Sequence, residues 1–235
     1  MNSQGDLFAE TEARPYRTVN ETDIAIIAGL YADASIDLSV LPPNARRLFE
    51  LSIDAFGAIV HAWMSELPIT AAIIRFGQKV LAAADRHEAN RITNDRGDPD
   101  VQTVREAAYK VWHEIHRLMG LLRFCPDANG VYIAHCEPDH CVLPAFGPHF
   151  TKRFGETPWA IIDVKRRLCL RRTPGNNTPE LCSINDNALP QNPPDGEWGN
   201  LWRHYHKVIN NESRHNPNVQ KRFMPKRYWK YLNEV

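Results

Sequence analysis

No stretch of this 235-residue chain approaches the roughly 20 consecutive apolar residues of a membrane-spanning helix. A membrane segment is therefore not expected. The opening residues, MNSQGDLFAETEARPYR, contain neither a basic n-region nor an apolar h-region, so no secretory signal is expected and the cytoplasm is the expected compartment. Cys-x-x-Cys pairs are also missing. The five cysteines, Cys125, Cys136, Cys141, Cys169 and Cys182, are odd in number, a pattern unlike a secreted disulfide framework or a common zinc module, and reduced thiols are expected. No internal repeat is present, and 28 basic residues balance 28 acidic ones.

The zero net charge conceals a segregation along the chain. Residues 1–100 carry 9 Lys and Arg against 15 Asp and Glu, a balance of −6, whereas residues 151–235 carry 15 against 8, a balance of +7. Such asymmetry fits a polyanionic partner for the basic half, and it also fits a solvated surface with chance clustering.

Apolar periodicity predicts mostly helices. After Leu41-Pro42-Pro43, with Asn44 as the expected N-cap, Leu48, Ser52, Ala55, Ile59 and Trp63 recur at helical spacing in one segment. A second helix is expected from Ile69 to about Arg86 through Ile73, Phe76, Val80 and Leu81, then a polar loop over residues 87–100. Asp98-Pro99 reads as the start of a long helix to about Leu122, with Ala108, Trp112, Ile115, Met119 and Leu122 on its apolar face. Strands are expected at Val131–Cys136, Trp159–Val164 and Leu168–Arg172, the last two as a hairpin despite a turn without Asn-Gly or Asp-Gly. A short helix near Pro144 and Pro148 separates the first two. A Pro- and Asn-rich loop over residues 173–197 precedes an amphipathic helix from Trp198 to Ile209. The class is α+β, mainly helical with a small antiparallel sheet and a basic C-terminal helical arm. Residues 1–20 are expected to be a flexible lead-in to a single domain over 21–235, helical in 21–100 and carrying the sheet and arm in 101–235.

Val131–Pro144, VYIAHCEPDHCVLP, concentrates chemistry-bearing side chains. His135, Cys136, His140 and Cys141 are metal-ligand types, but neighbours on a strand point to opposite faces, so these four do not close one tetrahedral site and no metal or other cofactor is expected. In HEIHR, His113 and His116 are three apart rather than the four of a zincin helix. An acid/base reading needs only Glu137, Asp139 and His140 at a strand end, with Pro138 stiffening the turn. The alternative is that Asp139 and His140 cap the helix that follows. Arg117 and Arg123, with His116, lie on or beside the apolar stripe of the long helix and its end. KRFMPKRYWKYL interleaves Lys221, Arg222, Lys226, Arg227 and Lys230 with Phe223, Tyr228, Trp229 and Tyr231, the mixture of cations and rings that nucleic-acid surfaces use. A strap with buried aromatics and snorkelling lysines would show the same composition. Lys165, Arg166 and Arg167 add a second basic edge.

Three blocks, KVWHEIHRLMGLLRF, GVYIAHCEPDHCVLPAFGPHFTKRFGETPWAIIDVKRR and LWRHYHKVINNESRHNPNVQKRFMPKRYWKYL, resemble the radical-SAM-linked DNA metabolism proteins of domain-of-unknown-function family 4130. The likeness spans roughly Val104–Leu232. It covers Glu137-Pro138-Asp139-His140 but not His135, Cys136 or Cys141. The resemblance implies a DNA-acting domain whose partners are DNA and, in addition, a radical SAM protein or a uracil-DNA glycosylase. In a base-excising enzyme, Glu137 or Asp139 would stabilise the sugar cation or activate water, His116 and His140 would polarise water or base, and Phe124 or Trp159 would stack on a flipped base. The basic residues together with Tyr228 and Trp229 would hold DNA. Damaged bases and the modified bases of phage DNA both suit such an enzyme. No G-Q-D-P-Y-H, helix-hairpin-helix or iron–sulfur cysteine pattern of known glycosylases occurs, and a non-catalytic module that delivers a partner to DNA is the rival expectation.

Overall fold

The apolar stripe that follows Pro43 forms two helices rather than one. In the computed structural model, which describes residues 26–27, 29–31, 38–176, 178–184, 197–209 and 216–232, α1 spans Pro43–Leu51 and α2 spans Ile53–Trp63. Between them Ser52 is extended, with φ −155° and ψ 107°, and its hydroxyl accepts the Ala55 N–H at 3.2 Å. The same hydroxyl donates to Asn90 Oδ1 at 3.2 Å. A helix-compatible stripe is thus broken by a serine that caps the second piece and reaches a distant side chain. The expected Asn44 cap is displaced too: α1 begins at Pro43, a position where the missing N–H costs nothing.

Two compact units divide the chain, Met1–Ile115 with Asp139–Ala145, and His116–Pro138 with Phe146–Val235. The expected lead-in over 1–20 and residues 185–196 of the expected loop lie outside the described residues.

The first unit contains α1, α2, α3 (Thr70–Leu81), α4 (Arg86–Thr93) and much of α5 (Pro99–Leu121). Its core includes Leu48, Ala55, Phe56, Ile59, Ile73, Phe76, Val80, Val104 and Val111. Helix α4 occupies the stretch expected as a polar loop. Its start is signalled by Asp85-x-x-Glu88: Asp85 accepts the Glu88 N–H at 2.8 Å and Glu88 accepts the Ala84 N–H at 2.9 Å. Asp98 caps α5 as expected, accepting from Asp100 and Val101. Hydrogen bonds from Arg75 and Lys79 hold the Asp100 carboxyl down to about 2. The buried side of α5 carries Val104, Ala108, Val111 and Ile115, while Trp112, expected on that face, is 42% exposed.

The second unit holds a five-stranded sheet in the order β1 (Cys125–Pro126), β2 (Tyr132–Cys136), β3 (Trp159–Asp163), β4 (Leu168–Arg172) and β5 (Glu180–Ser183). The α+β class is as expected, but the sheet is mixed. β2 and β3 run parallel, with Tyr132 beside Trp159 and Cys136 beside Asp163. The reason is the helical crossover α6 (Leu143–Phe154), since parallel neighbours need such a connection. Ile133, Ile162 and Cys169 form the core of one face. On the other, Trp159 packs on Phe150 of α6 with centroids 6.1 Å apart, and a Cβ on Gly147 would lie 4.0 Å from Leu170.

The β3–β4 hairpin closes without a two-residue turn signature. Asp163 Oδ1 accepts the Arg166 N–H at 3.0 Å and Oδ2 pairs with the Arg166 guanidinium at 2.7 Å. Arg167 then takes φ 55°. A side-chain clasp replaces the glycine turn. Beyond the sheet come α7 (Glu197–Ile209), α8 (Pro217–Phe223) and a 3-10 segment, Lys226–Tyr231.

Candidate functional site

Glu137 follows directly on β2, at the carboxyl end of the parallel β2–β3 pair, the end at which open α/β sheets place ligands. Its Oε1 accepts the Lys230 ammonium at 2.7 Å and the Tyr231 hydroxyl at 2.6 Å. Oε2 takes no hydrogen bond among the described residues. The side chain is 33% exposed. Burial works against its charged form, but the bonds from Lys230 and Tyr231, helped by the nearby charge of Lys165, outweigh it and hold the carboxyl below its ordinary range. Tyr231 is shifted the other way, first by burial and then by its bond to Glu137, so its hydroxyl stays a donor. The result is an ionised, partly exposed carboxylate among two lysines and a phenol.

Beneath it lies a buried pair. Arg166, expected on a DNA-facing basic edge, has its side chain 1% exposed, as has that of its partner Asp163. The guanidinium also donates to the Pro138 carbonyl at 3.0 Å. Arg166 therefore fastens the β3–β4 turn to the residue after Glu137, while Lys165 and Arg167 on either side are exposed.

Asp139 and His140 belong to the first unit. Their backbone N–H groups donate to the two carboxylate oxygens of Glu114, at 2.8 and 2.9 Å. Glu114 is 3% exposed, His140 is buried and its Nδ1 accepts the Glu66 N–H at 3.4 Å, whereas the Asp139 side chain is exposed. The capping alternative for Asp139 does not hold, because α6 begins only at Leu143. Sequence reading passed over Glu114, although its signal was visible: an acidic residue inside the stripe of Val111 and Ile115. Replacing it with Gln puts an NH2 against one of two buried N–H donors and should lower the unfolding free energy by about 1–3 kcal/mol in urea melts. An unchanged midpoint would remove the clamp from the stability of the turn.

Other expected site residues are scattered. His116 is exposed on α5 and Arg117 is half-buried. Trp159 is fully buried in the sheet core and Tyr228 is 2% exposed, so neither presents a face to a base. Trp229 is half-buried, with its indole N–H on the Met224 carbonyl at 2.8 Å. Lys221, Arg222, Lys226 and Arg227 are exposed, Lys226 over the Trp229 ring at 5.8 Å and Arg227 over Tyr228 at 4.6 Å. The arm thus combines a strap anchored by its rings with an outward row of cations. Arg123 and Phe124 line a separate cavity near the opposite end of β2. His135 and Cys136 are buried at successive positions of β2, and among the described residues no three His, Cys, Asp or Glu side chains group as metal donors. No helix of the described residues is long and apolar enough to cross a membrane.

A family model described as a domain of unknown function, DUF4130, matches residues 71–234, well over half of the chain. The chain belongs to the DUF4130 family. The DUF4130 match takes in Glu114, Glu137, Asp163, Arg166, Lys230 and Tyr231, and it begins well before Val104, where the resemblance of the three blocks begins. No match to the chain was found among curated proteins or among solved structures.

Proposed function

We propose that this protein acts on DNA as an N-glycosyl hydrolase that removes a damaged or modified base, with Glu137 as its reactive carboxylate. The observation that carries this reading is the convergence of two basic segments, Lys165 of the β3–β4 turn and Lys230 of the arm, around an ionised Glu137 whose Oε2 is left to face a substrate. Lysines beside a carboxylate suit the phosphates that flank a nucleotide. The carboxylate suits the cationic sugar that forms as the C1′–N bond breaks and its electron pair leaves with the base. Water then adds to C1′ and gives its proton to Glu137, while the departing base takes a proton from solvent. Tyr231 and Lys230 keep Glu137 ionised and aimed. His140, buried and held by its backbone, has no part in these steps.

The family resemblance adds a radical SAM protein and a uracil-DNA glycosylase as partners to test. The rival reading, a non-catalytic module that carries such a partner to DNA, is favoured by one observation: both bonds of Glu137 also tie the C-terminal segment to β2. The discriminating experiment incubates the protein alone with duplexes carrying uracil, alkylated, deaminated, hydroxymethylated or glucosylated bases and scores alkali-labile abasic sites. Release from at least one substrate is expected. None from any would put the module reading ahead.

Binding itself should be driven by phosphates. Changing Lys226 and Arg227 together to alanine should weaken binding alike on all sequences and reduce the slope of log K against log salt by about 1 to 2. An unchanged slope would leave these cations without a phosphate to neutralise.

A further inference from the structure

Cys169 of β4 and Cys182 of β5 are direct cross-strand partners. Two positions along the same ladder, the Ile184 N–H donates to the Arg167 carbonyl at 2.8 Å. Hydrogen-bonded and non-hydrogen-bonded pairs alternate along an antiparallel ladder, so Cys169 and Cys182 also form a hydrogen-bonded pair, with Cα atoms about 5.5 Å apart. That spacing falls within the roughly 4.4–6.8 Å that a disulfide spans. Both side chains pack in the cluster of Ile133 and Ile162 on one face of the sheet, and the Cys182 thiol donates to the Cys169 carbonyl at 3.5 Å. Cys136 is in register with Asp163 and Leu168, one position from Cys169, and so belongs to the other face. Cys125 is on β1, three strands from β4. Register and pleat thus oppose two free thiols.

The two differ in reactivity. Burial first, then the charge and hydrogen bond of the Cys182 thiol, push the Cys169 thiol up to about 12, with Arg171 opposing. Cys169 is 8% exposed, whereas Cys182 is half-buried, on a strand that pairs only with β4 among the described residues. The thiolate is the form that attacks an oxidant. Cys182 therefore reacts first.

We infer that Cys169 and Cys182 are a peroxide-oxidised thiol pair whose disulfide clasps the edge strand β5 to β4. The Cys182 thiolate attacks one oxygen of hydrogen peroxide, the O–O bond breaks, and the departing hydroxide becomes water with the proton that Cys182 gave up. Cys182 is then a sulfenic acid. The Cys169 sulfur attacks the Cys182 sulfur, the S–O bond breaks, and the second hydroxide takes the Cys169 proton. Two thiols lose two electrons in all, and one peroxide becomes two waters. Once Cys182 is a neutral sulfenic acid, its charge no longer opposes the loss of the Cys169 proton. A dithiol reverses the bridge by exchange. The pair is independent of any hydrolysis at Glu137.

The test treats the native full chain with hydrogen peroxide, blocks the remaining thiols in acid and digests with trypsin without reduction. Trypsin cuts after Arg167, Arg171, Arg172 and Arg203, so Cys169 and Cys182 fall on separate peptides, one from Leu168 to Arg171 and one from Thr173 to Arg203. The two are expected joined, and parted by dithiothreitol. Cys182→Ser should slow oxidation of Cys169 at least about tenfold, and Cys169→Ala should leave Cys182 as a sulfenic acid that dimedone captures. Hydrogen exchange of the β5 amides should slow at least about threefold in the bridged wild type. Absence of the joined peptides from the oxidised native wild type would overturn the assignment. So would an equal yield of them after oxidation in urea, where the register is lost. Cys169 oxidised as fast in Cys182→Ser as in the wild type would overturn the order of the steps, and β5 exchange unchanged by the bridge would overturn the clasp.

Discussion

Asp163→Ala is expected to destabilise the second unit by about 3–5 kcal/mol, because it removes the carboxylate that pairs with the buried Arg166 guanidinium at 2.7 Å. The loss reaches further than the hairpin, since Arg166 also holds the Pro138 carbonyl. Arg166→Met should behave differently. Burial already pushes the Asp163 carboxyl above its ordinary range, with Arg166 opposing, and removing the arginine pushes it higher. A carboxyl raised in the folded state contributes stability that is present below its unfolded value and lost as pH rises through the folded one. Arg166→Met should therefore cost least in acid and progressively more toward neutrality, whereas in Asp163→Ala the arginine remains charged throughout. Urea melts across that range check this, and equal losses for Arg166→Met at both ends would remove Asp163 as the cause.

Glu137→Gln is expected to lower base release at least about 100-fold, equivalent to about 2.7 kcal/mol of transition-state stabilisation, while keeping fold and DNA affinity. The amide oxygen of Gln can still accept from Lys230 and Tyr231, so the arm stays in place and only the charge is lost. Asp139→Asn is the control: its side chain is exposed and the turn is held through its backbone by Glu114, so release should stay within about twofold of wild type. The pH dependence follows from the direction of the Glu137 shift. Burial opposes its charge, but Lys230 and Tyr231 prevail and the carboxyl is lowered, so it is ionised down to a pH below the usual glutamate range. Release should stay flat through mild acidity and fall only below that range. Glu137's contribution to stability has the same sign, present above its unfolded value and lost as pH falls through the folded one. Release unaffected in Glu137→Gln would take this carboxylate out of the mechanism.

Strands β2, β3 and β4 and helices α3, α5 and α7 were legible because apolar periodicity and caps such as Asp98 act over a few residues. Ser52 and the polar stretch over residues 87–100 were misread for the converse reason. One breaks a stripe that looks continuous, and the other holds a helix too polar to show one. By itself the sequence determined the α+β class, the positions of β2, β3 and β4, the polar turn at Glu137 and the basic row of the arm, but neither β1 nor β5, which lies in the stretch expected as a loop. Tertiary structure alone decided their roles. It paired Glu137 with Lys230 and Tyr231, 93 and 94 residues away, turned Arg166 inward onto Asp163, gave Glu114 the backbone of Asp139 and His140, and buried Trp159 and Tyr228. Local pattern reports the face on which a side chain lies. Its partner depends on which distant segments the chain brings to that face, and for a charged group the partner sets whether burial yields a clasp or a reactive site.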